Sequence, residues 1–136
     1  MNRQRMLLIK KADDDLKECD NMMLGEIIKS MELDVKVDGG NNDREIKLCY
    51  VSDLLSNVMG QAIEGSVWVT MQGHQNIVAI ASLLSLSAII VAGGAAIEPD
   101  TIKKAQENNI TILSTEMSTF EVAGKLYTAG VKGTGD

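Results

Sequence analysis

Aromatic residues are nearly missing: one Trp, one Phe and two Tyr occur in 136 residues. No row of rings is available on which bases could stack. Basic excess is missing too. The formal net charge is −6, from 13 Lys and Arg against 19 Asp and Glu, so nothing offsets a phosphate backbone. The basic cluster of Arg3, Arg5, Lys10 and Lys11 is cancelled at once by Asp13, Asp14 and Asp15. Nucleic acid is not an expected partner.

Long hydrophobic runs are also lacking. The longest apolar segment, residues 77–92, is interrupted by Ser82, Ser85 and Ser87 and falls short of a membrane span. The apolar stretch at 6–9 is too short for a signal-peptide core and runs into Lys10-Lys11 without a small-residue cleavage site. Cys19 and Cys49 have no metal or redox spacing, so the expectation is two reduced thiols in a cytoplasmic protein. Catalytic signatures are absent: there is no GxSxG elbow, no HExxH and no Cys/His metal set. Gly124-Lys125 lacks the upstream glycine of a phosphate loop and is followed by Leu126, while "GVKGTG" (130–135) lies in a tail. A Ser-His-Asp arrangement would have to use His74, the single histidine, and nothing local names its partners. Neither an enzyme nor a bound cofactor or metal is expected.

What remains is a folded globular chain. Hydrophobic residues make up 45% and charged residues 24%, and the length suits one domain. Residues 1–20 are charged and without sustained periodicity, and read as a flexible or partly helical extension. The domain proper is placed at 21–131, with a flexible tail at 132–136. The start codon is left open among Met1, Met22 and Met23.

Periodicity supplies the elements. Asn21 is a candidate cap for a helix carrying Leu24, Ile27, Ile28 and Met31. "DVKV" (34–37) and "EIKLCYV" (45–51) read as strands around the loop "DGGNND". Ser52 as cap and Asp53 in the first turn open a helix with the stripe Leu54, Leu55, Val58, Met59, Ala62 and Ile63, stopped by Gly65. "SVWVTM" (66–71) is a strand and 74–87 a helix. "AIIVA" (88–92) is a strand covered on both faces. Pro99 starts a helix over 99–108, "ITIL" (110–113) is a strand, and Ser118 with Glu121 forms a capping box for a last helix ending near Ala129-Gly130. Helices and strands that alternate at these lengths predict a three-layer α/β domain with a mainly parallel sheet flanked by helices. The helix over 74–87 is apolar nearly all round. Its outer side is covered either by neighbouring helices or by a second copy of the chain.

In a parallel sheet the carboxyl ends of the strands share one edge, and ligands bind there. Three turns fall on that edge. The first carries Gln72, Gly73, His74, Gln75 and Asn76; the second carries Gly93 and Gly94; the third carries Ser114 and Thr115, followed by Ser118 and Thr119. Free helix N–H groups, amides, hydroxyls and a glycine-permitted close approach suit a phosphate or carboxylate. Thus Gln72, Gly73, His74, Gln75, Asn76, Gly93, Gly94, Thr115, Ser118 and Thr119 form the candidate ligand set. Taken singly, the glycines are also ordinary turn residues and Ser118 an ordinary cap.

At these turns the chain resembles the DRTGG domain family. The resemblance covers residues 23–131 and rests on "CYVSDLLSNVMGQAIEGSVWVTMQGHQNIVAIA", "AIIVAGGAAIEPDTIKKA" and "ILSTEMSTFEVAGKLY". The family is named for an Asp-Arg after one strand and a Thr-Gly-Gly after the next. In the resemblance, His74-Gln75 occupy the Asp-Arg positions and Ala92 that of the threonine, with only Gly93 and Gly94 kept. Asp43-Arg44 precedes the wrong strand. The chain looks like a stand-alone subfamily bearing "GHQN", so any ligand chemistry of the Asp-Arg does not carry over intact. Relatives occur as non-catalytic modules beside CBS domains in inorganic pyrophosphatases and within phosphotransacetylases. The domain is also similar to the N-terminal domain of HPr kinase/phosphorylase, but kinase chemistry needs a phosphate-cradling loop with its lysine, which this chain lacks. The resemblance implies a homodimeric regulatory or adaptor module that senses a small anionic ligand, with a nucleotide among the candidates, or acts on a partner enzyme. The alternative is a purely structural interaction domain without a ligand.

Overall fold

The computed structural model describes residues 22–133. The elements run α1 (Leu24–Ser30), β1 (Asp34–Val37), β2 (Leu48–Val51), α2 (Leu55–Gln61), β3 (Val67–Thr70), α3 (Asn76–Leu83), β4 (Ala88–Val91), α4 (Pro99–Asn108), β5 (Ile112–Ser114), α5 (Thr119–Thr128) and β6 (Lys132–Gly133). Six strands form one sheet in the order β1-β5-β4-β3-β2-β6. All neighbours are parallel except β1, which runs antiparallel to β5 with Asp34 opposite Ser114.

Steps from β2 to β3, β4 and β5 all run in one direction, so right-handed crossovers put α2, α3 and α4 on one face. The return from β5 to β6 reverses direction and puts α5 on the other face, beside α1. The two buried clusters record this division. One joins Leu24, Ile27, Val122 and Leu126 to Val67, Val69, Ile90 and Leu113. The other joins Val58, Ile77, Val78, Ile80, Ala81 and Ala105 to Trp68, Ile89, Val91 and Ile112. Alternate residues of β3 and β4 thus feed opposite cores, and both strands are buried along their whole length. This is the expected three-layer α/β architecture.

Local departures from the sequence pattern have physical causes. The third helix runs only from Asn76 to Leu83, because Ser85 turns left-handed (φ 54°) and Leu86 N–H reaches back to Ala81 O. Its apolar girth is largely explained within the chain: Ile77, Val78, Ile80 and Ala81 are buried as α3 packs between α2 and α4. Leu83, 69% exposed, and the small Ala79 are the exceptions. Ser52 and Asp53 do not cap α2, whose N-cap is Leu54 without a side-chain bond. Asp53 instead turns toward the end of β3. The helix stops at Ala62, which is extended, before Gly65 is reached. Of its stripe only Val58 is fully buried; Leu54, Met59 and Ile63 are exposed. The strand expected over 45–51 is shorter, because Glu45 bridges Met23 and Ile46 N–H bonds Met22 O before β2 begins. The last long strand is displaced to Ile112–Ser114. Lys132 and Gly133, assigned above to the tail, pair in parallel with Leu48 and Cys49 as β6. Asn21 and the extension over 1–20 lie outside the described residues.

Candidate functional site at the strand carboxyl ends

Asp53 organises the turn after β3. Its carboxylate accepts the Thr70 hydroxyl at 2.7 Å and Met71 N–H at 2.7 Å. Thr70 Oγ1 in turn accepts Gln72 N–H at 3.1 Å, and the Gln72 side-chain amide donates to Asp53 O at 3.4 Å. The β3 end is thereby closed by its own polar groups. Past it, Gly73 comes so near the next turn that a Cβ there would lie 1.8 Å from Ala96 O. Only glycine fits this approach. Gly73 O then accepts Glu98 N–H at 3.1 Å and the buried Thr101 hydroxyl at 2.7 Å, tying the turn to the start of α4. His74 is exposed, and its Nδ1 accepts Asn76 N–H at 3.1 Å. The ring satisfies one of the orphan donors of α3.

The turns after β4 and β5 are bonded to each other. Gly93 and Gly94 both take the left-handed conformation, at φ 70° and 65°. That geometry aims Gly93 N–H at Met117 O (2.7 Å) and Gly94 N–H at Thr115 O (2.9 Å). The paired glycines therefore spend their donors on the neighbouring turn rather than presenting them to an anion. Ser118 caps α5, accepting Glu121 N–H at 3.2 Å, as the capping-box spacing predicts.

The three turns thus meet on one edge, as the parallel topology requires. They do not share one cavity. A cleft of about 770 Å³ opens where β4 and β5 end and β1 begins, lined by Gly94, Ala96, Thr115 and Glu116. Its apolar walls come from both helical layers, with Met31 at the end of α1 on one side and, on the other, Ile97 just before α4 and Ile102 within it. Of the ten candidate residues, Gly94 and Thr115 line this cleft. Gln72, Gly73, His74, Gln75, Asn76, Gly93, Ser118 and Thr119 do not. The geometry adds Glu32, Asp34, Lys36, Glu116 and Lys125, which the sequence reading passed over. Glu116 stood inside a turn already singled out. Asp34 and Lys36 had no such signal, because their strand arrives from the far end of the domain to pair with β5.

The cleft lies at a reversal of the sheet's winding: the chain leaving β4 goes to α4 on one face, and the chain leaving β5 goes to α5 on the other. Ligands of open α/β sheets bind at such a point. The sequence pattern of the DRTGG domain matches residues 26–129. The chain belongs to the DRTGG domain family. No curated protein matches it. Among solved structures, this DRTGG domain is similar to the CBS and DRTGG domains of the regulatory region of Clostridium perfringens pyrophosphatase, complexed with the activator diadenosine tetraphosphate. The TM-score is 0.65 and the identity 18%, over 87% of this chain and 50% of that one. This DRTGG domain therefore spans half of that clostridial chain.

Other chemistry is sparse among the described residues. Burial pushes the Cys49 thiol up to about 12, which leaves it protonated and a poor nucleophile at neutral pH. No group of His, Cys, Asp and Glu side chains there is arranged to hold a metal. No described helix is long and apolar enough to cross a membrane.

Proposed function

We propose that this DRTGG domain is a non-catalytic regulatory module that takes a small ligand in the cleft beyond β4 and β5 and works as a homodimer in the cytoplasm. The observation that carries the reading is the cleft's place, at the reversal of winding, with walls from both helical layers. Its volume, about 770 Å³, falls in the range of small-molecule sites. A ligand there touches the end of α1, the first turn of α4 and Lys125 of α5 together, so binding stiffens several elements at once. A partner enzyme is the fitting object of such regulation, since the clostridial neighbour is part of a pyrophosphatase's regulatory region. Nucleotides belong among the ligands to try for the same reason.

Self-association is supported by the surface of α2 and α3. Residues 54–63 and 76–87 contain no charged side chain in a chain of net charge −6. Leu54, Met59, Ile63 and Leu83 stand exposed there. An uncharged apolar face lets two acidic copies approach without repulsion. That same face favours the second reading, an interaction domain without a ligand.

A thermal-shift screen of nucleotides, phosphorylated metabolites and amines separates the two readings, since a ligand that binds the folded state raises the melting temperature by mass action. The expected result is a stabilising compound whose effect disappears in Ala96→Trp, which fills the cleft from an exposed position. Stabilisation that survives this variant would move the site elsewhere. Sedimentation tests the dimer: wild type sediments as a dimer and Leu83→Glu as a monomer, while a monomeric wild type at high concentration refutes it.

A further inference from the structure

Helix α5 carries an apolar surface that the described residues leave uncovered. Phe120, the single phenylalanine of the chain, sits in its first turn and is 85% exposed. Gly124 and Thr128 follow at four-residue steps, so the three share a face. Together with Ser30 and Met31 they line an open hollow of about 530 Å³ between the end of α1 and α5. The charged residues in its walls, Glu121 and Lys125, balance each other, so the hollow favours neither an anion nor a cation. Gly124 has no role within the domain. It stands in mid-helix, where glycine is less stable than alanine, and a Cβ there would meet none of the described atoms within 4 Å. A glycine beside an exposed ring suits the close approach of another piece of chain.

The place where the chain continues points to the occupant. Residues 1–21 precede the described body, which begins at Met22. Met22 packs against the cluster of Leu24, Val122 and Leu126, so the preceding segment joins the body on the layer of α1 and α5. From there α1 leads to the hollow: it starts at Leu24, spans about 10 Å and ends at Ser30. The twelve residues 10–21 can span up to about 40 Å when extended, enough to double back along α1 from Met22. Residues 6–9 are Met, Leu, Leu and Ile, the apolar quartet of that segment. Arg3, Arg5, Lys10 and Lys11 flank them, and residues 1–11 hold no acidic side chain in a chain of net charge −6. The quartet suits the Phe120 ring and the bare helix at Gly124, while the basic flanks are drawn to the acidic body.

We infer that residues 6–9 of this chain occupy the hollow between α1 and α5, covering Phe120 and Gly124 of the same molecule. A tethered segment meets its site at an effective concentration on the order of millimolar, which favours the chain's own residues over a second copy. Met31 and Lys125 line the ligand cleft as well, so the docked segment abuts that site.

The single phenylalanine gives the full chain an unambiguous ring signal for the test. Nuclear Overhauser contacts are expected from the Phe120 ring to methyl groups of residues 6–9. Leu8→Asp, which lies outside the described body, should abolish them and shift the amides of Met31, Gly124 and Thr128. Leu83→Glu, on the opposite helical layer, should leave them intact. Contacts seen only between a labelled and an unlabelled chain would put a second copy in the hollow and overturn the assignment, as would their loss in Leu83→Glu. A Phe120 ring without contact to residues 6–9 overturns it outright.

Discussion

The turn after β3 and the paired turns after β4 and β5 sit on the same sheet edge, yet they are built to opposite ends. The first is closed in on itself. Asp53, Thr70, Gln72, Gly73, Thr101 and Asn76 exchange hydrogen bonds among themselves, and the histidine serves its own helix. The other two bond their backbones together and leave their side chains, Thr115 and Glu116, over an open cleft. A turn rich in polar residues can thus be a fastening, and a plainer one can be the site. What decides is where the hydrogen bonds go, not which residue types are present.

This contrast can be broken in graded steps. Gly73→Ala should do the most damage, because its Cβ would meet backbone at Ala96 O that cannot yield cheaply. A loss of about 3 kcal/mol is expected, of the size of severe overpacking, read from denaturant unfolding. Asp53→Ala removes the acceptor of two hydrogen bonds and should cost about 1.5 kcal/mol by the same measurement. Gly94→Ala sits at φ 65° and faces only the flexible Glu116 side chain, so about 1 kcal/mol is expected. This variant also pushes Glu116 aside, and ligand binding should suffer more than stability. His74→Ala should change stability by about 0.5 kcal/mol or less, as an exposed position, and leave ligand affinity unchanged. A large loss of affinity in His74→Ala would reverse the comparison and return the site to the first turn.

The sequence carried the parallel core well, because each signal there is local. "AIIVA" reads as a strand buried on both faces, Pro99 marks the start of α4, and Ser118 with Glu121 marks the start of α5. The convergence of three turns on one edge followed from strand–helix alternation alone. Three things were not legible. Asp53 reads as a first-turn acid of α2 behind a Ser52 cap, since nothing local says that the end of β3 offers its carboxylate two better donors. The extent of α3 was overestimated, because a serine in the left-handed conformation gives no compositional sign. The cleft itself depends on β1, an antiparallel edge strand whose pairing with β5 spans most of the domain, and long-range pairing of that kind leaves no trace in periodicity.

The most direct test is an amide chemical-shift titration of the ¹⁵N-labelled chain with ATP and, separately, with each compound that stabilises it in the thermal-shift screen. For whichever probe binds, the account predicts shifts concentrated at Gly94, Thr115, Glu116 and Lys36, with residues 73–76 moving little. Shifts centred on His74 and Asn76, with Thr115 and Glu116 unmoved, would contradict it.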